Sequence, residues 1–194
     1  RIALKSRTPV LVLSDGYLAN GAEPWLLPDV ADLPDISVPF TTEANGTDDD
    51  GNPVYLPYLR NDDMARPWAV PGTPGLEHRI GGLEKQDGTG NVSYDPANHE
   101  HMVHLRAERI EHIADDIPLV EVEGADDAEI LVIGWGSTWG AIDGAVDRVN
   151  AAGRRAAKAH LTHLHPFPKN LGEVLKRHPK VLVPEMNLGQ LSLL

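Results

Sequence analysis

Proline placement constrains this chain more than any other feature of its sequence. Ten of the sixteen prolines fall between Pro24 and Pro96, where apolar residues keep no regular period. Each proline fixes φ and removes a ladder donor, so neither long helices nor central strands are expected there. Such a structureless run is unusual inside a compact domain, and its expected use is as a connector wrapped over another domain or subunit. Ser37 to Thr42 and Asn52 to Leu59 are expected to pair as a hairpin across Asn45-Gly-Thr-Asp-Asp-Asp-Gly51, whose Gly and Asp residues suit a reversal. Pro71-Gly-Thr-Pro-Gly75 and Gly81-Gly82 punctuate the loops beyond.

The flanking segments are richer in pattern. Arg1 to Lys5 reads as the last turn of a helix, and Thr8-Pro-Val-Leu-Val-Leu-Ser-Asp15 is a continuous apolar run of the kind that forms a strand buried on both faces. One strand cannot be a domain. The run is therefore expected to close a sheet whose other strands precede Arg1, which makes the chain a piece of a longer protein. After the connector, Asp95 is placed to cap a helix with Pro96 at its first position, and Val103, Ala107, Ile110, Ile113 and Ile117 space as its apolar face. Strands are expected at Leu119 to Val122, Ile130 to Ile133, Lys158 to Leu164 and Val181 to Val183. Helices are expected between them: one presents Ile142, Val146 and Val149 inward and stops at Gly153, one starts at Asn170 with Glu173 in a capping-box pattern, and one is capped by Asn187. This alternation implies an α/β fold, a three-layer parallel sheet with right-handed crossovers.

Composition narrows the function. The 194 residues suffice for a real core without disulfides, and the absence of cysteine removes thiolate nucleophiles, redox couples and iron-sulfur ligation. A net charge of −12 repels both nucleic acid and anionic membrane surfaces. No apolar run reaches the roughly 20 residues of a membrane span and no signal peptide pattern opens the chain, which reads as soluble and cytoplasmic.

Several motifs resemble chemistry without completing it. Gly134-Trp-Gly136-Ser-Thr-Trp-Gly140 follows a strand and opens a helix as a dinucleotide fingerprint would, but the third glycine is off by one and His163-Leu-His165 stands where a ribose-binding acid is expected. His101, His104, Glu108 and His112 share a helix stripe, yet Val103 occupies the place that a zinc-protease histidine would need after His99-Glu100. Asp48-Asp-Asp-Gly51 has Gly46 and Pro57 at the calcium-loop positions that need carboxylates. Ser14 and Ser137 lack the glycines of a nucleophile elbow. What remains is a set of candidate contact loops at the carboxyl ends of successive strands: Gly134, Trp135, Gly136 and Ser137; His165 and Phe167; Glu185 and Asn187.

Three stretches taken in order carry a resemblance. Thr8-Pro-Val-Leu-Val-Leu-Ser-Asp-Gly-Tyr-Leu18, Pro71-Gly-Thr-Pro-Gly-Leu-Glu-His78 and Tyr94-Asp-Pro-Ala-Asn-His99 together resemble the α subunit of 2-oxoacid:ferredoxin oxidoreductases, most closely the 2-oxoglutarate-using actinobacterial type. Residues 129 to 168 are also similar to the transketolase C-terminal domain. The resemblance implies residues 1–27 as the end of a pyrimidine-binding domain, 28–96 as a connector and 97–194 as a transketolase C-terminal-like domain. It implies an assembled enzyme, a dimer of heterodimers with a β subunit, that uses thiamine diphosphate and Mg²⁺ to convert a 2-oxoacid and coenzyme A to acyl-CoA and CO₂. Electrons would leave through an iron-sulfur cluster in β to ferredoxin. The family's substrate-contacting motif would precede Pro9, so no catalytic, cofactor or metal position carries over to this chain, whose share is scaffolding and subunit contact. Two other readings stay open on the residues alone: a free-standing Rossmann-like module for a nucleotide or small ligand, and a structural interaction domain.

Overall fold

The computed structural model describes residues 1–125 and 127–194. In chain order its elements are α1 (Ile2–Ser6), α2 (Gly16–Asn20), β1 (Phe40–Thr41), β2 (Gly46–Thr47), β3 (Pro53–Val54), β4 (Trp68–Ala69), α3 (Pro96–His112), β5 (Val122–Glu123), β6 (Ile130–Trp135), α4 (Trp139–Ala151), β7 (Ala156–Leu161), α5 (Leu171–Arg177) and β8 (Val181–Leu182). They fall into two compact units, residues 1–10 with 27–113 and residues 11–26 with 114–194.

In the first unit every strand is two residues long, as the prolines require. The expected hairpin forms with a different partner. Pro53–Val54 pairs antiparallel with Gly46–Thr47, whereas Phe40–Thr41 pairs in parallel with Trp68–Ala69. The reason is local. Asp48 accepts backbone hydrogen bonds from Asp50 at 3.0 Å and Asn52 at 2.8 Å, so the chain reverses within Asp48 to Asn52 and the nearer segment takes the pairing. Phe40 instead finds the Trp68 ring, 5.7 Å between centroids.

Helix α3 begins as expected, with the Asp95 carboxylate accepting from the Ala97 amide at 3.0 Å. Its apolar face keeps the expected half-buried Ile110 and, just beyond the helix, the buried Ile113 and Ile117, but differs nearer its start. Val103 and Ala107 are exposed, and the inward stripe runs through the buried Met102, half-buried Leu105 and Arg109, and buried Ile113. The helix also groups with the connector, since the first unit runs to Ile113.

The second unit is built on a four-stranded sheet in the order β5-β7-β6-β8. β6 is parallel to both β7 and β8, and β5 runs antiparallel to β7. Side chains of β6 and β7 alternate between two helical layers. Leu131, Ile133, Ala157, Ala159 and Leu161 pack with Leu171 and Val174 of α5, while Ile130, Val132 and Ala156 pack with Ile142 and Val146 of α4. The α/β class and the helix on each sheet face thus match expectation.

Four details of this unit differ from the sequence reading. The run Pro9 to Leu13 forms no strand, and Leu11 and Val12 are 87% and 88% exposed; among the described residues no strand offers it a ladder. The strand expected at Leu119 to Val122 begins only at Val122 and is an antiparallel edge. Val120 is instead drawn into the core by Asn170, whose side chain accepts from its amide at 2.8 Å and donates to its carbonyl at 2.9 Å. That use of Asn170 replaces the expected helix cap. Strand β7 ends at Leu161, ahead of the Pro166 and Pro168 turn.

Candidate functional site

The carboxyl ends of β6, β7 and β8 lie at one edge of the sheet, where open α/β folds place ligand and contact loops. At the end of β6, Gly134 is required by packing: a Cβ there would come within 2.2 Å of Ile142 Cδ1 and 2.6 Å of Thr138 Oγ1. Thr138 Oγ1 donates to the Trp135 carbonyl at 2.7 Å, which fixes the turn, and Gly136 supplies its φ of 59°. The nearby Ser137 hydroxyl and the Leu18 amide, which donates at 3.0 Å, hold Asp15 below the ordinary carboxylate range.

Trp135 joins β6 to the loop after β8. Its indole Nε1 donates to Glu185 Oε1 at 3.4 Å, and the same carboxylate accepts from the Leu191 amide at 3.0 Å and the Ser192 amide at 3.2 Å. Desolvation pushes the Glu185 carboxyl upward, but these bonds and one from Asn187 outweigh it and hold the group low. Glu185 therefore caps the short terminal turn Leu191–Leu193, the role expected of Asn187. Asn187 closes a tighter loop by accepting from the Gly189 amide at 2.8 Å.

The loop after β7 is less convergent. His163 and His165 lie beyond the strand, not on it; His163 is half-buried against Thr162, and His165 is exposed before a cis peptide bond to Pro166. Phe167 is half-buried and packs against the core. The structure thus brings Trp135 together with Glu185, and Ser137 together with Asp15, while His165 is exposed and Phe167 lies on the core. Beside this edge an apolar groove of about 890 Å³ runs along α4 from Ser137 and Ala141 to Leu182 and Met186.

One polar cluster escaped the sequence reading. Lys158 of β7 is 7% exposed, its ammonium bonded to Asp143 and lying 3.4 Å from Glu123 and 3.6 Å from Asp147. The hydrogen bond that the ammonium donates to Asp143 is the main cause that pushes it up to about 12, against an opposing desolvation. The Trp139 ring lies 5.7 Å from the ammonium and meets His160 edge-on, and burial lowers the His160 pKa. Asp143 and Asp147 at i and i+4 of one helix, with Lys158 inside a strand of alanines, was the available signal. Among the described residues no group of three or more His, Asp or Glu is arranged to hold a metal ion, and no helix is long and apolar enough to cross a membrane.

Comparison with known proteins places this geometry. Residues 128–193, which contain the sheet edge, match the family described as pyruvate:ferredoxin oxidoreductase core domain II. The 2-oxoglutarate oxidoreductase subunit KorA of Mycobacterium tuberculosis is 52% identical over 99% of this chain, and the 2-oxoglutarate synthase subunit KorA of Methanothermobacter marburgensis is 28% identical over 98%. The chain spans 28% of the first relative's length and 48% of the second's. A solved 2-oxoglutarate:ferredoxin oxidoreductase from Magnetococcus marinus, with 2-oxoglutarate, coenzyme A and succinyl-CoA bound, is 36% identical with a TM-score of 0.64, covering 76% of this chain and 26% of that one. Along nearly its whole length, the chain is similar to a segment of these KorA subunits and, at 30% identity over 98% of the chain, to the α subunit of a 2-oxoacid:ferredoxin oxidoreductase of Aeropyrum pernix.

Proposed function

We propose that this chain is part of the α subunit of a cytoplasmic, thiamine-diphosphate-dependent 2-oxoglutarate:ferredoxin oxidoreductase. The assembled enzyme would convert 2-oxoglutarate and coenzyme A to acyl-CoA and CO₂, passing electrons through an iron-sulfur cluster in a β subunit to ferredoxin. The carrying observation is 52% identity sustained over 99% of the chain to a 2-oxoglutarate oxidoreductase subunit. In this reading residues 1–27 belong by sequence to a pyrimidine-binding domain, 28–96 to the connector and 97–194 to the transketolase C-terminal-like domain, within a dimer of heterodimers, although α3 packs with the connector and residues 1–27 divide between the two compact units.

There is no cysteine to ligate a cluster, and the described residues hold no carboxylate group suited to Mg²⁺. No chemical step is assigned to them. Their contribution is to position and to contact. The exposed apolar run Leu11 to Leu13, the exposed Trp25 to Leu27 and the groove beside β8 supply surface for that purpose. The edge residues Gly134 to Ser137, His165, Glu185 and Asn187 would shape contact loops there.

The test is turnover by the complete α subunit with its partner chain, followed as 2-oxoglutarate- and coenzyme-A-dependent reduction of ferredoxin. The reading predicts activity that needs both chains and is absent from the 194-residue segment alone. Reduction by the segment alone would overturn it, as would a complete enzyme indifferent to 2-oxoglutarate.

A further inference from the structure

The chain carries a net charge of −12, yet one cavity in the unit formed by residues 1–10 and 27–113 is strongly basic. It measures about 520 Å³, and Arg60, Arg66, Lys85, Arg106 and Arg109 all line it. Glu84 is the one carboxylate among its lining residues, and it is already engaged. It accepts from Arg106 at 3.1 and 3.2 Å and pairs with His99 at 2.7 Å. Those bonds hold its carboxyl at about 2. Asp87, nearby, is engaged in the same way by Arg60 at 2.8 Å and His101 at 3.1 Å.

Three cations are then left over. Arg66 lies over the Tyr58 ring at 4.9 Å and donates to the Pro57 carbonyl at 3.4 Å, with no carboxylate paired with it among the described residues. Arg109 is half-buried with its Nε unbonded, and burial first, then repulsion from Arg60, Arg66 and Arg106, lowers its pKa. Lys85 is only 4% exposed, and its Nζ is buried without a hydrogen-bond partner. A buried ammonium with no acceptor is costly, and proteins keep such a group where an anion completes it.

We infer that this cavity binds a phosphate group, with the Lys85 ammonium at its floor and the Arg66 and Arg109 guanidiniums at its sides. Arginine forks match phosphate oxygens in pairs, and a dianion supplies in one compact group the charge that three surplus cations lack. The remaining wall, Tyr58, Ile80, Leu83 and Met102, is apolar and would receive the body of a phosphate monoester. The inference concerns binding alone and goes beyond the proposed activity.

The experiment is isothermal titration of the full-length subunit, with the partner chains it retains, using inorganic phosphate, phenyl phosphate and succinate. Thiamine diphosphate and coenzyme A are held saturating throughout, so that their own sites give no signal. Saturable binding of one phosphate or phenyl phosphate per chain is expected, weakened about tenfold to a hundredfold by Lys85→Met and by Arg109→Gln. Tighter binding of phenyl phosphate identifies a monoester as the source, and equal binding identifies free phosphate. Should Lys85→Met fail to fold, Arg109→Gln and Arg66→Gln carry the comparison. The inference is overturned if neither phosphate compound binds, if succinate binds as tightly and is weakened by the same variants, or if the folded variants bind phosphate like the parent.

Discussion

At the scale of single residues, glycines divide into those that packing demands and those that it does not. Gly134→Ala would drive a methyl into Ile142 and Thr138 where β6 turns into α4, and should lower stability by about 1–3 kcal/mol. Gly144→Ala, in the middle of α4 with only the flexible Arg148 end 3.5 Å away, should instead raise stability by about 0.5–1 kcal/mol. Urea unfolding of both variants checks the opposite signs. Charge gives a second residue-scale prediction. Glu84 has its folded-state pKa depressed from 4.5 to about 2, so its stabilisation is fully present above pH 4.5 and is lost as pH falls through about 2. Unfolding midpoints measured down this range should converge between the parent and Glu84→Gln; a constant gap would contradict the assignment. Lys158 works in the other direction. Its pKa is raised from 10.5 to about 12, so its contribution holds below pH 10.5 and is lost as pH rises through about 12, and Lys158→Met should flatten that alkaline loss.

At the scale of elements, legibility followed how local the determining contacts are. β6 was readable because Ile130 to Ile133 is a short apolar run ended by Gly134, and α3 was readable at its start because Asp95-Pro96 fixes the cap. The pairing of Phe40 with Trp68 was not readable, since it depends on a contact across 28 positions and on Asp48 having already closed a nearer turn. The same holds for Asn170. Its capping-box pattern pointed to a helix start, but two hydrogen bonds to Val120, fifty positions away, claimed the side chain first. Asn170→Ala should therefore cost more than loss of an exposed cap, about 2–3 kcal/mol, because it strands both backbone groups of the buried Val120. Chemical denaturation checks this, and a cost under about 0.5 kcal/mol would mean that the bridge contributes little. The candidate edge was legible in position, through successive strand ends, but not in partnership. Neither the Trp135 to Glu185 bond nor the basic cavity formed by Arg60, Arg66, Lys85 and Arg109 leaves any motif in a linear sequence.

At the scale of the whole molecule, apolar residues stand uncovered where a strand and a connector were expected to meet other surfaces. Leu11, Val12, Trp25, Leu26 and Leu27 are all more than four-fifths exposed, which a stable free-standing protein seldom tolerates over neighbouring positions. That pattern suits a segment of a subunit working inside an assembly, and it agrees with a chain that spans 28% of its mycobacterial relative. The most direct measurement is native mass spectrometry of the full-length subunit purified from its own cells. A complex with a second, cysteine-bearing chain that reduces ferredoxin when given 2-oxoglutarate and coenzyme A is predicted. A lone chain that carries out this reaction by itself, or a complex that does not respond to 2-oxoglutarate, would contradict the account.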